Sequence, residues 1–348
     1  MDLNELAERL GVTARGPGDP PIRGIRDIAR VAAGDELEDD CVYFVESPAV
    51  LGRHPQARRR GVILTSPELA DGFVRSLVAP RNELRLAFIR LLRLFDRAPT
   101  FAAGVSAGAH VHERAQVDPT ATVLPGAVVM EGARVGPRCV LYPGAVVEPH
   151  ASVGEDTVFF PNAVLGHHCT IGRRGILHGG SVVGADGFGF HDGPGGRHKV
   201  PQIGNVEIAD DVEIGAGSTI DRATIETTRI GEHTKLDDQV HVGHNCQVGR
   251  YVYIVGNSAL GGSVVVEDGA MISGMVCVLD HVHVAKGSMI MGVSAIVRDT
   301  ECGQAYFGTP ARPARRMHRI NASLDRLPEM LSRLRELEAR LAALDPGT

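Results

Sequence analysis

The sequence predicts a mainly β protein: a parallel β-helix of three-sided coils, preceded by a small α/β unit and followed by a helical tail. Three observations predict it. Large apolar residues recur at every sixth position from Val111 through Val117 and Val123 to Val183, thirteen in succession without a miss. A small residue precedes each by two positions, as with Ala109, Ala115, Cys139, Thr157 and Ser181. Outside the hexads, at both ends, the apolar residues fall at helix-like spacing. A period of six fits neither a 3.6-residue helix nor a hairpin meander, but it fits three short strands per coil of about eighteen residues. The large residue fills the interior and the small one fits close to a corner.

Residues 1–100 come first. Leu3, Leu6 and Leu10 mark an amphipathic stretch that also carries Asp2, Glu5 and Glu8. A strand is expected at Gly61 to Thr65. A second helix is expected at Glu83 to Phe95, with Leu84, Phe88, Leu91, Leu92 and Phe95 as its apolar stripe. Pro99 and Gly104 bracket the join to the solenoid, which spans 101–308.

Residues 185–205 interrupt the hexads. An insertion in a strict solenoid leaves through a coil corner as a surface loop, and such loops often carry the binding surface. The series resumes as Ile208, Ile214 and Ile220, slips by four residues, and continues from Ile230 to Ile296.

The helical extension, 309–348, begins where the hexads stop after Gly308-Thr309-Pro310. Leu324, Leu327, Leu331, Leu334 and Leu341 form a narrow seam, with Pro328 starting or kinking the helix. A seam that narrow wants partner helices. Arg312, Arg315, Arg316 and Arg319 make a basic run without an acid, either a solvated face or a dock for an acidic carrier protein.

With 348 residues, 43% of them hydrophobic, and 42 glycines, the chain has room for two or three units of turn-rich structure. A formal charge of −6 excludes a general nucleic-acid binder. The opening residues do not read as a signal peptide, and no apolar run approaches the ~20 residues of a membrane span. The expectation is a soluble, cytoplasmic protein with no transmembrane segment. The six cysteines include no CxxC pair, and Cys139, Cys169 and Cys246 take the small inward slot of their hexads. These three read as core residues rather than disulfides or metal ligands.

Function must come from residues that point out of the scaffold. His244 lies two positions beyond inward Val242 and is therefore outward. Gly262 is eighteen residues on, one coil along, and Asp280 with His281 follows after another eighteen. Asp237, His244, Gly262 and His281 are expected along one groove, with Asp237 reaching His244 across a corner. That grouping suits acyl transfer: a neutral imidazole takes a proton from an amine or hydroxyl, a carboxylate holds its tautomer, and a glycine N–H meets the oxyanion. No protein nucleophile is needed, and the inward slot of Cys246 argues against an acyl-enzyme. A zinc site among His241, His244, His281 and His283 is the metal alternative, and it would need three imidazoles. Neither a metal nor a cofactor is expected.

Several ordered segments resemble one family, the UDP-3-O-acylglucosamine N-acyltransferases of lipid A synthesis. They are His178-Gly179-Gly180, the run from Gly184 to Phe190, Lys199-Val200-Pro201-Gln202, Ile220-Asp221-Arg222, Leu236-Asp237-Asp238-Gln239, Gly243-His244-Asn245 and Gly308 to Pro313. The resemblance covers essentially the whole chain. It implies a left-handed parallel β-helix (hexapeptide-repeat solenoid) and a cytoplasmic homotrimer with sites between adjacent prisms. It also implies transfer of a 3-hydroxyacyl group from acyl carrier protein, through its phosphopantetheine, to the 2-amine of a UDP-amino sugar. Carried over by motif, His244 is the general base, Asp237 orients it, Gly262 supplies the oxyanion N–H, and His281 assists substrate or phosphopantetheine binding.

The same resemblance marks Phe44, Asp186, Phe188, Phe190, Lys199, Gln202, Asp221, Gln239 and Asn245 for substrate binding. It assigns Arg312, Arg315, Arg316 and Arg319 to carrier docking, and the first hundred residues to a uridine-binding-like domain. The chain departs from the family at Ser47-Pro48-Ala49-Val50, where Asn-Pro-x-Tyr is common. Asp238 and His241 replace frequent Asn and Gln, and Cys277 and Asp280 replace frequent glycines. Two alternatives stay open: a carrier-dependent acyltransferase on a different nucleotide-sugar amine or hydroxyl, and an inert trimeric binding scaffold.

Overall fold

In the computed structural model, residues 1–32 and 35–344 are described, with side chains up to residue 341. The chain divides into two units, Met1–Thr100 and Phe101–Thr348.

The first unit is a five-stranded sheet with helices Leu3–Leu10 and Leu84–Leu94. Asp2 caps the first helix by accepting the Glu5 N–H at 2.8 Å, and Gly11 closes it in the left-handed region at φ 68°. Its buried face is Leu3, Leu6, Ala7 and Leu10, which packs with Leu84, Ala87 and Leu91 of the other helix and with Val42, Val62, Leu64 and Leu77 of the sheet. Leu92, expected in the apolar stripe, is exposed. The Ser47-Pro48 departure has a local structural role: Ser47 Oγ accepts the Ala49 N–H and caps the short helix Pro48–Arg53.

The second unit is a parallel β-helix whose three faces are sheets of ten, nine and twelve strands. Successive strands on one face lie eighteen residues apart in register, as Val129 with Val147 and Val147 with Leu165. The large hexad residues are fully buried from Val123 to Val147, and the small ones from Ala121 to Ala163. Burying such residues contributes about 1.5–3 kcal/mol for each large apolar side chain, which is how two-residue strands persist. Corner residues such as Asn162, Asn245 and His281 hold φ near +60°, the left-handed geometry that turns the chain. The residue before each of these needs no N–H in the ladder. Proline therefore fits there, as at Pro125, Pro137, Pro143, Pro149 and Pro161.

The insertion is an antiparallel hairpin, Phe190–Gly193 with Gly196–Lys199, rather than an irregular loop. The four-residue slip is a turn at residues 223–226 that receives the hairpin's return. Ile203 N–H donates to Thr224 O and Gly204 N–H to Ala223 O, both at 3.0 Å. Beyond the last coil come two helices, Ala314–Leu324 and Leu327–Leu344, with Pro328 in the first turn of the second. Leu327, Leu331, Leu334, Leu337 and Leu341 are all exposed along it.

Candidate active site

The corner between the ten- and nine-stranded sheets carries one column of residues, each two positions beyond an inward residue of its coil: His167 below the insertion, then Arg222, His244, Gly262 and Asp280 on successive coils above it. His244 is half-buried. Its ring lies over Gly262 so closely that a Cβ there would stand 2.7 Å from Nε2 and from Cε1. On the other side Gly187 of the insertion approaches, where a Cβ would stand 2.6 Å from the His244 Cβ. Two glycines thus form a slot for one imidazole, and its Nδ1 is buried without a hydrogen-bond partner. The adjacent turn bonds Ser263 N–H to His244 O at 2.8 Å and His281 N–H to Gly262 O at 2.9 Å. Gly262 occupies the position that proline takes at other corners, where the N–H is not used in the ladder.

One coil below, Arg222 is 1% exposed and turned back over the coils beneath. Its guanidinium donates to Gly184 O at 2.8 Å and Gly204 O at 3.2 Å, the two ends of the insertion, and to His167 O at 3.3 Å. Glycine at 166 and 184 leaves room for it: a Cβ on Gly166 would lie 3.0 Å from Nη2. A buried cation with three carbonyl acceptors is compensated, and it fixes the base of the hairpin. Asp186 pairs with Lys199 across the same base, and that bond with the Lys199 charge draws its carboxyl below the ordinary range.

The structure therefore gathers His244, Gly262, His281, Asp186, Lys199, Gln202, Asp221 and Asn245 around one corner. Gln202 is 7% exposed and accepts from Thr224 Oγ1 at 3.0 Å. Asn245 accepts the Thr224 N–H at 2.8 Å. These two dock the slipped turn as well as facing the slot. Phe188 and Phe190 are exposed on the hairpin, with ring centroids 5.2 Å apart.

Asp237 and Gln239 stand elsewhere. They occupy the corner between the twelve- and ten-stranded sheets, a full face width from His244 in the same chain. Asp237 Oδ2 accepts the Gly256 N–H at 2.9 Å. Repeat counting aligns residues eighteen apart, but residues seven apart necessarily fall on different corners.

The carboxylate nearest in register to His244 is instead Asp221. Thr219 pairs with His241 and Ile220 with Val242, so Asp221 runs alongside Gly243. It is 7% exposed. Burial raises its pKa, opposed by the attraction of His241 and His244. Arg222, fully buried one coil below His244, was not read as a site residue. The signal for it was its place two positions beyond inward Ile220, the same outward position that His244 takes beyond Val242.

Phe44 lies in the first unit, stacked on Phe88 at 4.4 Å. Arg315, Arg316 and Arg319 are exposed on the first tail helix, and Arg312 and Arg316 help line a cavity of about 290 Å³ with Arg298. Cys246 is fully buried, its Sγ donating to Gly261 O at 3.1 Å, and burial pushes its thiol up to about 12.

Residues 199–293 match the family model of the GMPPB C-terminal domain. Over 343 residues the chain is 38% identical to the UDP-3-O-acylglucosamine N-acyltransferase of Pseudomonas aeruginosa (strain LESB58), covering 98% of this chain and 95% of that one. A protein of the same name from Methylorubrum populi is 46% identical over 156 residues, 45% of this chain and 44% of its own. Among solved structures, Arabidopsis UDP-N-acetylglucosamine acyltransferase is similar with a TM-score of 0.56 at 25% identity, covering 60% of this chain and 73% of that one.

Proposed function

The chain belongs to the UDP-3-O-acylglucosamine N-acyltransferase family, and we propose that its His244 corner carries out the amide-forming acyl transfer of lipid A biosynthesis. The observation that carries this reading is the imidazole held between Gly187 and Gly262 with its Nδ1 enclosed. With Nδ1 turned inward, Nε2 is the nitrogen that faces substrate. His244 takes a proton from the attacking 2-amine of UDP-3-O-acylglucosamine as nitrogen adds to the donor's thioester carbonyl. The Gly262 N–H then stabilises the oxyanion. Collapse expels the thiolate, which receives the proton from the imidazolium, leaving an amide and a free thiol.

The donor in this reading is a 3-hydroxyacyl group on the phosphopantetheine of acyl carrier protein. Arg312, Arg315, Arg316 and Arg319 meet the acidic carrier, and His281 assists the incoming chain. Phe188, Phe190, Lys199, Asp186 and Gln202 line the acceptor side, with Phe44 serving the nucleotide. The protein works as a cytoplasmic homotrimer. Its exposed leucine seam supports self-association, and the width of the ten-stranded face means that Asp237 and Gln239 complete a site only across a subunit boundary. No described helix is long and apolar enough to cross a membrane.

The test is a substrate panel. Purified protein with UDP-3-O-acylglucosamine and 3-hydroxyacyl carrier proteins of several chain lengths should give an N-acylated product by mass spectrometry. Product from a different amine or hydroxyl acceptor alone would move the assignment to another sugar acyltransferase. Carrier binding without turnover would make the chain a scaffold.

A further inference from the structure

Asp221 is a buried carboxylate that makes no contact explaining its burial. Its ion-pair contact among the described residues is His241 Nε2 at 3.8 Å, beyond hydrogen-bonding distance. His241 is itself held from the other side, with Nδ1 2.8 Å from Thr219 Oγ1. On the same side of the corner His244 keeps a buried, unpartnered Nδ1. A carboxylate that is 7% exposed and a buried, unpartnered ring nitrogen thus occupy neighbouring coils of one chain. Leaving a buried ring nitrogen unpaired costs about 1–3 kcal/mol.

Asp237 does not fill the role within the chain, because it lies on the other corner and is engaged by Gly256. The other charges near Asp221 are Asp186, whose charge is offset by Lys199, and the next residue in the chain, buried Arg222, which donates to Gly184 O and lies 4.0 Å from Asp186.

We propose that Asp221 is the positioning residue of His244: its buried carboxylate, on the adjacent coil of the same chain, favours the protonated ring and holds its orientation as the amine proton arrives. The proposal rests on His244 acting as the base. Asp221 acts first through its charge, and through a hydrogen bond once substrate closes the slot, since such bonds are often long before substrate binds. His241 braces the carboxylate from the open side.

The test compares wild type, Asp221→Asn and Asp221→Glu over a pH series of kcat/KM, with His244→Ala as the blank. Asn is close in shape and relieves a buried charge; Asp221→Ser serves in its place should Asn not fold. The neutral variant should lose about 10²-fold in kcat, and the acid limb of its profile should move to lower pH. The Glu variant should return the limb towards wild type. A neutral variant with unchanged kcat, or one slowed equally at every pH with its limb unmoved, overturns the assignment. Absence of product from wild type itself is a different failure, that of the N-acyltransferase reading.

Discussion

Gly262→Ala is the sharpest perturbation of the slot. Gly262 lies outside the left-handed region, so alanine meets no backbone strain there. The added Cβ would stand 2.7 Å from His244 Nε2 and Cε1, where ordinary contact begins at 3.4 Å. The ring must retreat by about 0.7 Å, and Gly187 crowds its Cβ and Cδ2 edge. A displacement near 1 Å of a catalytic group costs roughly 10²-fold, so kcat should fall about 10- to 100-fold. The overpacking cost of about 1–3 kcal/mol is borne by one surface corner and should lower the melting temperature by only several degrees. Initial rates of product formation at saturating donor, beside a thermal melt, measure both. A folded Gly262→Ala protein with kcat within about twofold of wild type would show that the ring over Gly262 is not the base.

Arg222→Met should release the hairpin, because three carbonyls lose a charged donor worth about 1.5–3 kcal/mol each. Trypsin should then cut faster after Arg197 and Lys199 while the coils stay folded; unchanged cleavage would remove the clamp. Cys246, its thiol pushed up to about 12 by burial, should resist alkylation at pH 8 while exposed Cys277 and Cys302 react. Labelling of Cys246 with loss of activity would revive an acyl-enzyme.

Asp221 has a raised folded pKa, chiefly from burial, so its favourable linkage is present below the ordinary value of 3.8 and is lost as pH rises through the raised one. Asp221→Asn should therefore melt higher than wild type near neutrality, with the gap closing towards pH 4. A constant gap across that range would contradict the shift.

The solenoid was legible because a single period sets both inward positions, and the structure buries Val123 and Ala121 alike. Proline at Pro125 and Pro143 also marks the outward corner position that His244 and Gly262 share, so the column could be counted from the hexads. The hairpin was less legible. Gly193-Pro194-Gly195-Gly196 is a turn signal, but the flanking Phe190 and Lys199 carry too little apolar alternation to announce strands. Spacing could not show that Asp237 and His244 of one chain lie apart, because seven residues cross one side of the prism. The clamp made by Arg222 was hidden because burial of a charge depends on what neighbouring coils leave empty, here at Gly166 and Gly184.

The most direct measurement is the single-turnover rate of amide formation by wild type and by His244→Ala, with UDP-3-O-acylglucosamine and a 3-hydroxyacyl carrier protein. The account predicts a rapid N-acylated product from wild type and a loss of about 10²- to 10⁴-fold in the variant, with both proteins equally folded. Equal rates from the two would place the chemistry away from this corner.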